Sequence, residues 1–192
     1  MFVVVYKGPF GFIKPYDTNR DDYIKSQNFL LPSAVKGIEL YLFPELLKDK
    51  THILKKIVRC KINFDNIVKD LGVIQSPLVK RVSKRATDKM HSFILATSCI
   101  ERGLLHNVTV YVGFNNMDDA LIASSSHIRI SGKDETCYPS GDRAIEISDD
   151  EFDKISGWEF KETSQDDPNS ILVGNNRYKN NEKIYGKIIH TK

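Results

Sequence analysis

A helical apolar stripe lies between two strand-like segments, and this order limits the possible folds more than any other feature. The segment at residues 2–7 is rich in β-branched and aromatic residues, and basic and apolar residues alternate at 53–64. Between them, a helix predicted to begin at Pro32-Ser33 and to end near Leu47 has apolar residues three or four positions apart: Val35, Ile38, Leu42 and Leu46. The first third of the chain is therefore predicted to form a β–α–β unit.

The rest of the chain continues this order. Gly8-Pro9-Phe10-Gly11 is predicted to end the first strand, and a long loop is predicted at 15–27. Two strands at 93–100 and 104–114, separated by a turn at 101–103, precede a helix at 117–126 and short apolar segments at 128–130 and 144–147. The resulting order, β–α–β, a basic insertion, then β–α–β, predicts an α+β fold with a ferredoxin-like or RRM-like sheet. Residues 1–150 are predicted to form this domain, and 151–192 a small C-terminal β appendage with strands at 158–162 and 183–190.

Charge is strongly segregated along the chain although the net charge is only +3. Residues 48–89 contain twelve Lys/Arg and four Asp/Glu, whereas 133–170 contain four basic and twelve acidic residues. The last 22 residues are basic again, with a balance of +4. This pattern indicates one surface that faces a polyanion and one acidic surface that faces protein or solvent.

Several classes of protein are disfavoured. No apolar run approaches the roughly 18 residues of a membrane span, and the short N-terminal apolar run has no basic leader. The three cysteines, Cys60, Cys99 and Cys137, are far apart and fit a reducing, cytoplasmic location. The five histidines form no metal-binding spacing, and neither a P-loop nor a dinucleotide-binding motif is present. No metal and no cofactor are therefore expected, and paired acids such as Asp118-Asp119 are interpreted as surface or helix-start residues.

The best binding signal is the basic segment 77–91, PLVKRVSKRATDKMH. It concentrates five cations among few apolar residues, as a hairpin that grips phosphates would: Lys80, Arg81, Lys84, Arg85 and Lys89. A second segment at 138–147, YPSGDRAIEI, would bring backbone amides close to phosphate at Gly141 and offer the Arg143 guanidinium as a donor. A solvated loop and an ordinary turn are the alternative interpretations of these two segments.

Four segments together resemble the Cas-five family, a repeat-associated (RAMP) subunit of type I CRISPR Cascade complexes. They are VVYKGPFGFIKP (4–15), FLLPSAVKGIELYLF (29–43), KKIVRCKINF (55–64) and FNNMDDALIAS…YPSGDRAIEI (114–147). The resemblance implies an antiviral ribonucleoprotein in which this subunit binds the crRNA 5′ handle. It also implies contacts with the large and backbone subunits, target DNA nearby, no membrane, and a thumb hairpin at about 66–90. With the charge pattern, the expected RNA-binding residues are Lys14, Lys36, Lys80, Arg81, Lys84, Arg85, Lys89, Gly141 and Arg143.

Two other functions stay open. One subtype of the family cleaves precursor RNA with a Tyr late in the first helix and a Lys-His pair. Here Phe43 best matches the first position, with Tyr41 two residues earlier, and the sequence has no Lys-His pair. A non-catalytic subunit is therefore expected, with no catalytic residues. The first alternative is a metal-independent endoribonuclease that uses His91 or Tyr41. The second is a stand-alone interaction protein that mimics or blocks such a complex.

Overall fold

The computed structural model describes residues 1–15, 23–48, 53–75, 79–80, 93–94, 97–130, 135–141, 144–176 and 181–192. The helices are α1 (Pro32–Leu42), α2 (Met117–Ser124) and α3 (Asp149–Lys154), and a 3-10 helix (Pro44–Lys48) follows α1. The strands are β1 (Phe2–Gly11), β2 (Tyr23–Lys25), β3 (Ile57–Asn63), β4 (Asn66–Gln75), β5 (Val79–Lys80), β6 (Phe93–Ile94), β7 (Thr97–Phe114), β8 (Ile128–Arg129), β9 (Thr136–Pro139), β10 (Ile145–Glu146), β11 (Gly157–Glu162), β12 (Ile171–Asn176) and β13 (Glu182–Thr191).

One large sheet organises the described residues, with the strand order β12-β13-β11-β3-β7-β1-β9-β8. The neighbouring strands along this path are antiparallel; β4 and β10 add antiparallel pairings to β7 and β1, and β2 runs parallel to β7. The α+β class predicted from the sequence is therefore confirmed.

Helices α1 and α2 cover one face of the sheet. Alternate residues of β1 point to this face, where the buried Tyr6 hydroxyl donates to the Ala123 carbonyl of α2 at 2.8 Å. Phe43, at the end of α1, packs edge-on against Phe114 of β7, and both rings are buried. The hydrophobic core thus lies between the sheet and these two helices.

Helix α3 covers the opposite face, where β3 presents Arg59 and Lys61. The Lys61 ammonium donates to the Phe152 and Ile155 carbonyls at the C-terminal end of α3, at 3.0 and 2.8 Å. The Arg59 guanidinium binds Glu159 of β11 and lies over the buried Phe152 ring at 4.4 Å. This side of the sheet is therefore closed by a charged and aromatic cluster that joins α3, β3 and β11.

The structure corrects the predicted end of the first strand. Strand β1 runs through the Gly8–Gly11 segment, and its pairing with β7 skips Pro9, which has no N–H to donate. Position 8 favours glycine, because a Cβ there would lie only 2.7 Å from the Cys137 sulfur of β9. The predicted break is thus a point where two strands approach closely.

Two other boundaries were predicted wrongly. The α-helix ends at Leu42, and Pro44 begins the 3-10 helix because proline cannot donate the hydrogen bond that would continue α1. The predicted turn at 101–103 lies inside β7, which is 18 residues long and pairs there with both β2 and β4.

The end of the chain contains one helix that was not predicted. Ser148 and Glu151 form a reciprocal capping box that begins α3, a Ser-x-x-Glu spacing visible in the sequence. The predicted domain boundary at residue 150 falls within this helix, and the division into two domains stays a prediction. Strand β11 pairs with β3 at Trp158↔Ile62 and Glu159↔Lys61, which links the C-terminal strands to the main sheet.

Candidate nucleic-acid interface

A long antiparallel ribbon flanks the basic segment. Strands β4 and β7 pair over ten positions, from Asn66↔His106 to Gln75↔Thr97. The pairing resumes between β5 and β6, at Val79↔Ile94 and Lys80↔Phe93. Of the predicted phosphate-binding residues, Lys80 lies in β5, whereas Arg81, Lys84, Arg85 and Lys89 fall outside the described residues. The described strands therefore lead directly into and out of the basic segment.

Aromatic rings and cations alternate at the base of this ribbon. The Lys69 ammonium lies 5.1 Å from the centre of the Tyr23 ring. The Arg102 guanidinium lies 5.6 Å from the centre of the Phe12 ring. The phenyl ring of Phe10, 44% exposed, is 5.6 Å from the His106 imidazole. Such a surface offers stacking partners for bases and positive charge for phosphates.

A second aromatic and basic cluster, which we call the edge cluster, joins Tyr41, His127, Arg129 and Tyr138. The Tyr41 hydroxyl and the His127 Nε2 are 2.5 Å apart, and either can donate, depending on the imidazole tautomer. The Arg129 guanidinium lies over the Tyr41 ring at 5.7 Å, and the Tyr138 ring is 6.0 Å from the imidazole. Tyr41 and Tyr138 are 41% and 62% exposed, so the cluster is open to solvent.

The edge cluster is assembled from elements far apart in the chain. Tyr41 ends the exposed side of α1, His127 follows α2, Arg129 lies in β8 and Tyr138 lies in β9. Lys7 of β1 is exposed and pairs across the sheet with Tyr138 on one side and with Thr109 of β7 on the other. A ligand stacked on Tyr138 would therefore meet a further ammonium group on the neighbouring strand.

A shallow cavity of about 460 Å³ lies between Lys7 of β1 and the second half of β7. Asn107 and Thr109 line it with hydrogen-bonding side chains, and the Asn107 amide donates to the Asp65 carboxylate at 2.7 Å. An ammonium, an amide and a hydroxyl together can bind a phosphate or a ribose hydroxyl.

The remaining predicted residues lie on different elements. Lys14 is exposed after β1. Gly141 is exposed after β9 with φ +110°, a conformation that favours glycine, and among the described residues other than its chain neighbours no atom lies within 4 Å of the position where a Cβ would be. Arg143 falls outside the described residues.

Lys36 lies in a buried ion pair and does not present its charge to solvent. It is 4% exposed, and its ammonium donates to the Glu39 carboxylate at 2.6 Å and to the Ile53 carbonyl at 2.7 Å. The other Glu39 oxygen accepts from the backbone amides of Lys55, Lys56 and Ile57. Burial alone would raise the pKa of Glu39, but the hydrogen bonds from Lys36 and these amides outweigh it and lower the pKa.

Sequence reasoning missed most of the edge cluster. Tyr41 and His127 are 86 residues apart, and no local spacing connects them. Arg129 and Tyr138 stand in short edge strands whose pairing, Ile128↔Cys137 and Arg129↔Thr136, brings them near the other two. Only the exposed position of Tyr41 on the apolar helix was visible in the sequence.

Metal-binding clusters and helices of membrane-spanning length are both absent from the described ranges. No group of three or more histidine, cysteine or acidic side chains there is placed to hold a metal ion. None of the helices in the same ranges has the length and apolar character that a membrane crossing requires.

Comparison with known proteins gives a likeness of fold. No protein-family model matches the sequence, and no curated protein matches it. A chain in a solved structure described as a CRISPR RNA-guided surveillance complex is similar to this one, with a TM-score of 0.52 and 11% sequence identity. The similarity covers 99% of this chain and 89% of that chain. At this identity, what the two chains share is the fold.

Proposed function

We propose that this chain is a non-catalytic RNA-binding subunit of a type I CRISPR Cascade surveillance complex. In this role it binds the 5′ handle of the crRNA and contacts the large and backbone subunits, in the cytoplasm. The observation that carries the proposal is the ribbon of β4 and β7, continued by β5 and β6, which flanks a segment with five cations. The fold shared with a chain of an RNA-guided complex supports the same assignment.

The strand order supports a ferredoxin-like core. In chain order, β1, α1, β3, β7, α2 and β9 form a β–α–β–β–α–β unit, and the four strands lie side by side as β3-β7-β1-β9. The ribbon is an insertion between β3 and the part of β7 that belongs to this core. We interpret the ribbon as the thumb, which folds over the RNA and brings Lys80, Arg81, Lys84, Arg85 and Lys89 to its phosphates.

The exposed rings give this RNA surface a second kind of contact. Phosphate contacts alone are independent of sequence, whereas unstacked bases bind to aromatic faces. Phe10 at the ribbon base and Tyr138 in the edge cluster are both exposed; Phe10 pairs across the sheet with His106, and Tyr138 pairs with Lys7. We expect the RNA to pass over both regions, with Lys14, Gly141 and Arg143 as further backbone contacts.

The test measures RNA affinity at several salt concentrations for the full chain and for Lys84→Glu/Arg85→Glu. Each phosphate contact to single-stranded RNA contributes about 0.7 to the slope of log K against log salt. The double variant should therefore lose about 1.4 from that slope, and at least about tenfold in affinity at low salt.

A matched control reverses two exposed lysines of the last strand region, Lys183→Glu/Lys192→Glu. This control should keep the slope and most of the affinity. An unchanged slope in Lys84→Glu/Arg85→Glu would overturn the thumb assignment. Failure of the full chain to copurify with short RNAs that share one 5′ end would favour the interaction-protein alternative.

The edge cluster favours one second candidate, a metal-independent endoribonuclease. A Tyr hydroxyl hydrogen-bonded to an imidazole can relay a proton from a ribose 2′-OH, and the Arg129 guanidinium beside them can stabilise the phosphorane charge. Tyr41 occupies the end of α1, close to the position at which the cleaving subtype has its Tyr. The imidazole of this candidate is His127, whereas His91 lies outside the described residues.

Cleavage of precursor RNA in the presence of a chelator tests this candidate. If the chain cuts, Tyr41→Phe and His127→Ala should each reduce the rate by about 100-fold or more, because proton transfer contributes at least that much. Tyr185→Phe in β13 serves as the control and should keep the rate. If the full chain does not cleave the RNA, the result supports a non-catalytic subunit. If cleavage is lost only in His91→Ala, the active site lies in the basic segment instead of the edge cluster.

A further inference from the structure

A wedge-shaped cleft opens where β3 and β11 separate. The two strands pair only at Lys61↔Glu159 and Ile62↔Trp158 among the described residues, although β11 continues to Glu162 and β3 begins at Ile57. The resulting cleft has a volume of about 530 Å³. The outer edge of β3 over residues 57–60 therefore has no strand partner in the described part of the chain.

The walls of this cleft are largely apolar. Val58 of β3, 39% exposed, faces it together with Leu54, Val35 of α1 and Phe160 of β11. An exposed strand edge next to exposed apolar side chains is a common template for the addition of an extended segment, which gains main-chain hydrogen bonds and side-chain burial together.

The rim of the cleft is acidic. Two basic and four acidic side chains line it, which gives a balance of −2. The two cations, Arg59 and Lys161, both lie against Asp153 and Glu159. Asp149 and Glu162 are exposed and have no ion-pair partner among the described residues. Within the described part of the chain, these two carboxylates therefore remain open to a further cation.

We propose that the cleft between β3 and β11 docks an extended segment of another protein that alternates apolar residues with Lys or Arg. The apolar side chains would cover Val58 and Phe160, the backbone would pair with the β3 edge, and the cations would meet Asp149 and Glu162. A nucleic acid does not fit this site, because its phosphates would face the unpaired carboxylates. The inference does not rest on the proposed RNA binding, which uses the ribbon and the edge cluster.

The direct test uses a fluorescent ten-residue peptide of alternating lysine and valine, with the full chain as the receptor and anisotropy as the readout. Two matched peptides separate the contributions: lysine alternating with serine keeps the charge, and glutamate alternating with valine keeps the apolar residues. We expect the lysine–valine peptide to bind at least about tenfold more tightly than either matched peptide.

Variants then locate the binding site. Val58→Asp and the double variant Asp149→Lys/Glu162→Lys should each weaken the binding of the lysine–valine peptide at least about tenfold. Asp118→Lys, which reverses an exposed acid in the first turn of α2, should leave it unchanged. If Val58→Asp changes the midpoint temperature of unfolding, the charge-reversal variant Asp149→Lys/Glu162→Lys and its control Asp118→Lys still test the site.

Three results would overturn the docking site: equal affinity for the three peptides, an unchanged affinity in the charge-reversal pair, or a dimer in sedimentation that Val58→Asp dissociates. The last result would assign the cleft to a second copy of this chain. RNA affinity measured on the same samples separates the two proposals, since Asp149→Lys/Glu162→Lys leaves the ribbon residues unchanged.

Discussion

At the scale of single residues, the Lys36–Glu39 pair binds the backbone at residues 53–57, where the chain enters β3. We expect Glu39→Gln to lower the free energy of unfolding by about 3 kcal/mol, because it leaves the Lys36 ammonium buried without a countercharge. Chemical denaturation with circular dichroism measures this change.

The double variant Lys36→Met/Glu39→Gln supplies the control. It removes both charges and keeps an amide oxygen that can accept from the backbone amides of residues 55–57. The double variant should therefore lose much less free energy of unfolding than the two single substitutions lose in sum. Additive costs would mean that the ion pair does not couple these two residues.

The lowered pKa of Glu39 also predicts how stability depends on pH. A carboxylate whose pKa is lowered by folding contributes stability above its unfolded pKa, near 4.5, and loses it as the pH falls through the folded value. The original chain should thus lose stability below about pH 4.5 more steeply than Lys36→Met/Glu39→Gln. Parallel curves of unfolding free energy between pH 6 and pH 3 would contradict this.

At the scale of elements, α3 is a six-residue helix that depends on side chains at both ends. Lys61→Met should lower the free energy of unfolding by about 2–3 kcal/mol, because buried carbonyls at its C-terminal end lose a charged donor. Lys183→Met, an exposed lysine of β13, is the matched control and should change stability by less than about 0.5 kcal/mol. Equal effects of the two substitutions would show that Lys61 does not hold α3.

The turn from α3 into β11 requires glycine at position 157. Gly157 has φ +139°, and a Cβ there would lie 2.6 Å from the Ile62 carbonyl oxygen of β3. Gly157→Ala should therefore cost at least about 1–3 kcal/mol of stability. The same change at Gly37, in α1 with open space around it, should be neutral or stabilising by up to about 1 kcal/mol. Thermal denaturation compares the two, and tolerance of alanine at 157 would contradict the close contact of β11 with β3.

At the scale of the whole molecule, the C-terminal strands complete the charged cluster on the second face of the sheet. We expect a chain that ends at Ser148 to lose cooperative unfolding, because Lys61 and Arg59 would lose Phe152, Asp153, Ile155 and Glu159 as partners. Calorimetry of the shortened and full chains measures this. A cooperative transition within a few degrees of the full chain would instead support an independent domain at 1–150.

The order of elements was predictable because apolar periodicity is a local property of the sequence. The first residues of β1 and α1, and both ends of α2 and β13, were expected within two residues of their observed positions. Local signals failed where pairing decided the outcome: Glu101-Arg102-Gly103 reads as a turn, but β2 and β4 bind that segment on both sides and keep it extended.

The candidate interface was predictable only in part for the same reason. The basic segment at 77–91 stands out because its cations are close together in the sequence. The ribbon that flanks it is formed by pairing between β4 and β7, which the sequence does not show. Lys36 was expected to contact RNA, but it is buried and bound to Glu39. A count of charges along the sequence does not reveal such an ion pair.

The sequence by itself determined the α+β class, the order of elements and the segregation of charge, since each follows from local periodicity or composition. The tertiary structure decided which distant residues meet. Tyr41 and His127 become neighbours through the packing of α1 beside the β8 edge, and β3 and β11 form a cleft because they pair at only two positions. These contacts depend on long-range pairing, whose free energy comes from burial and hydrogen bonds between segments that the sequence keeps far apart.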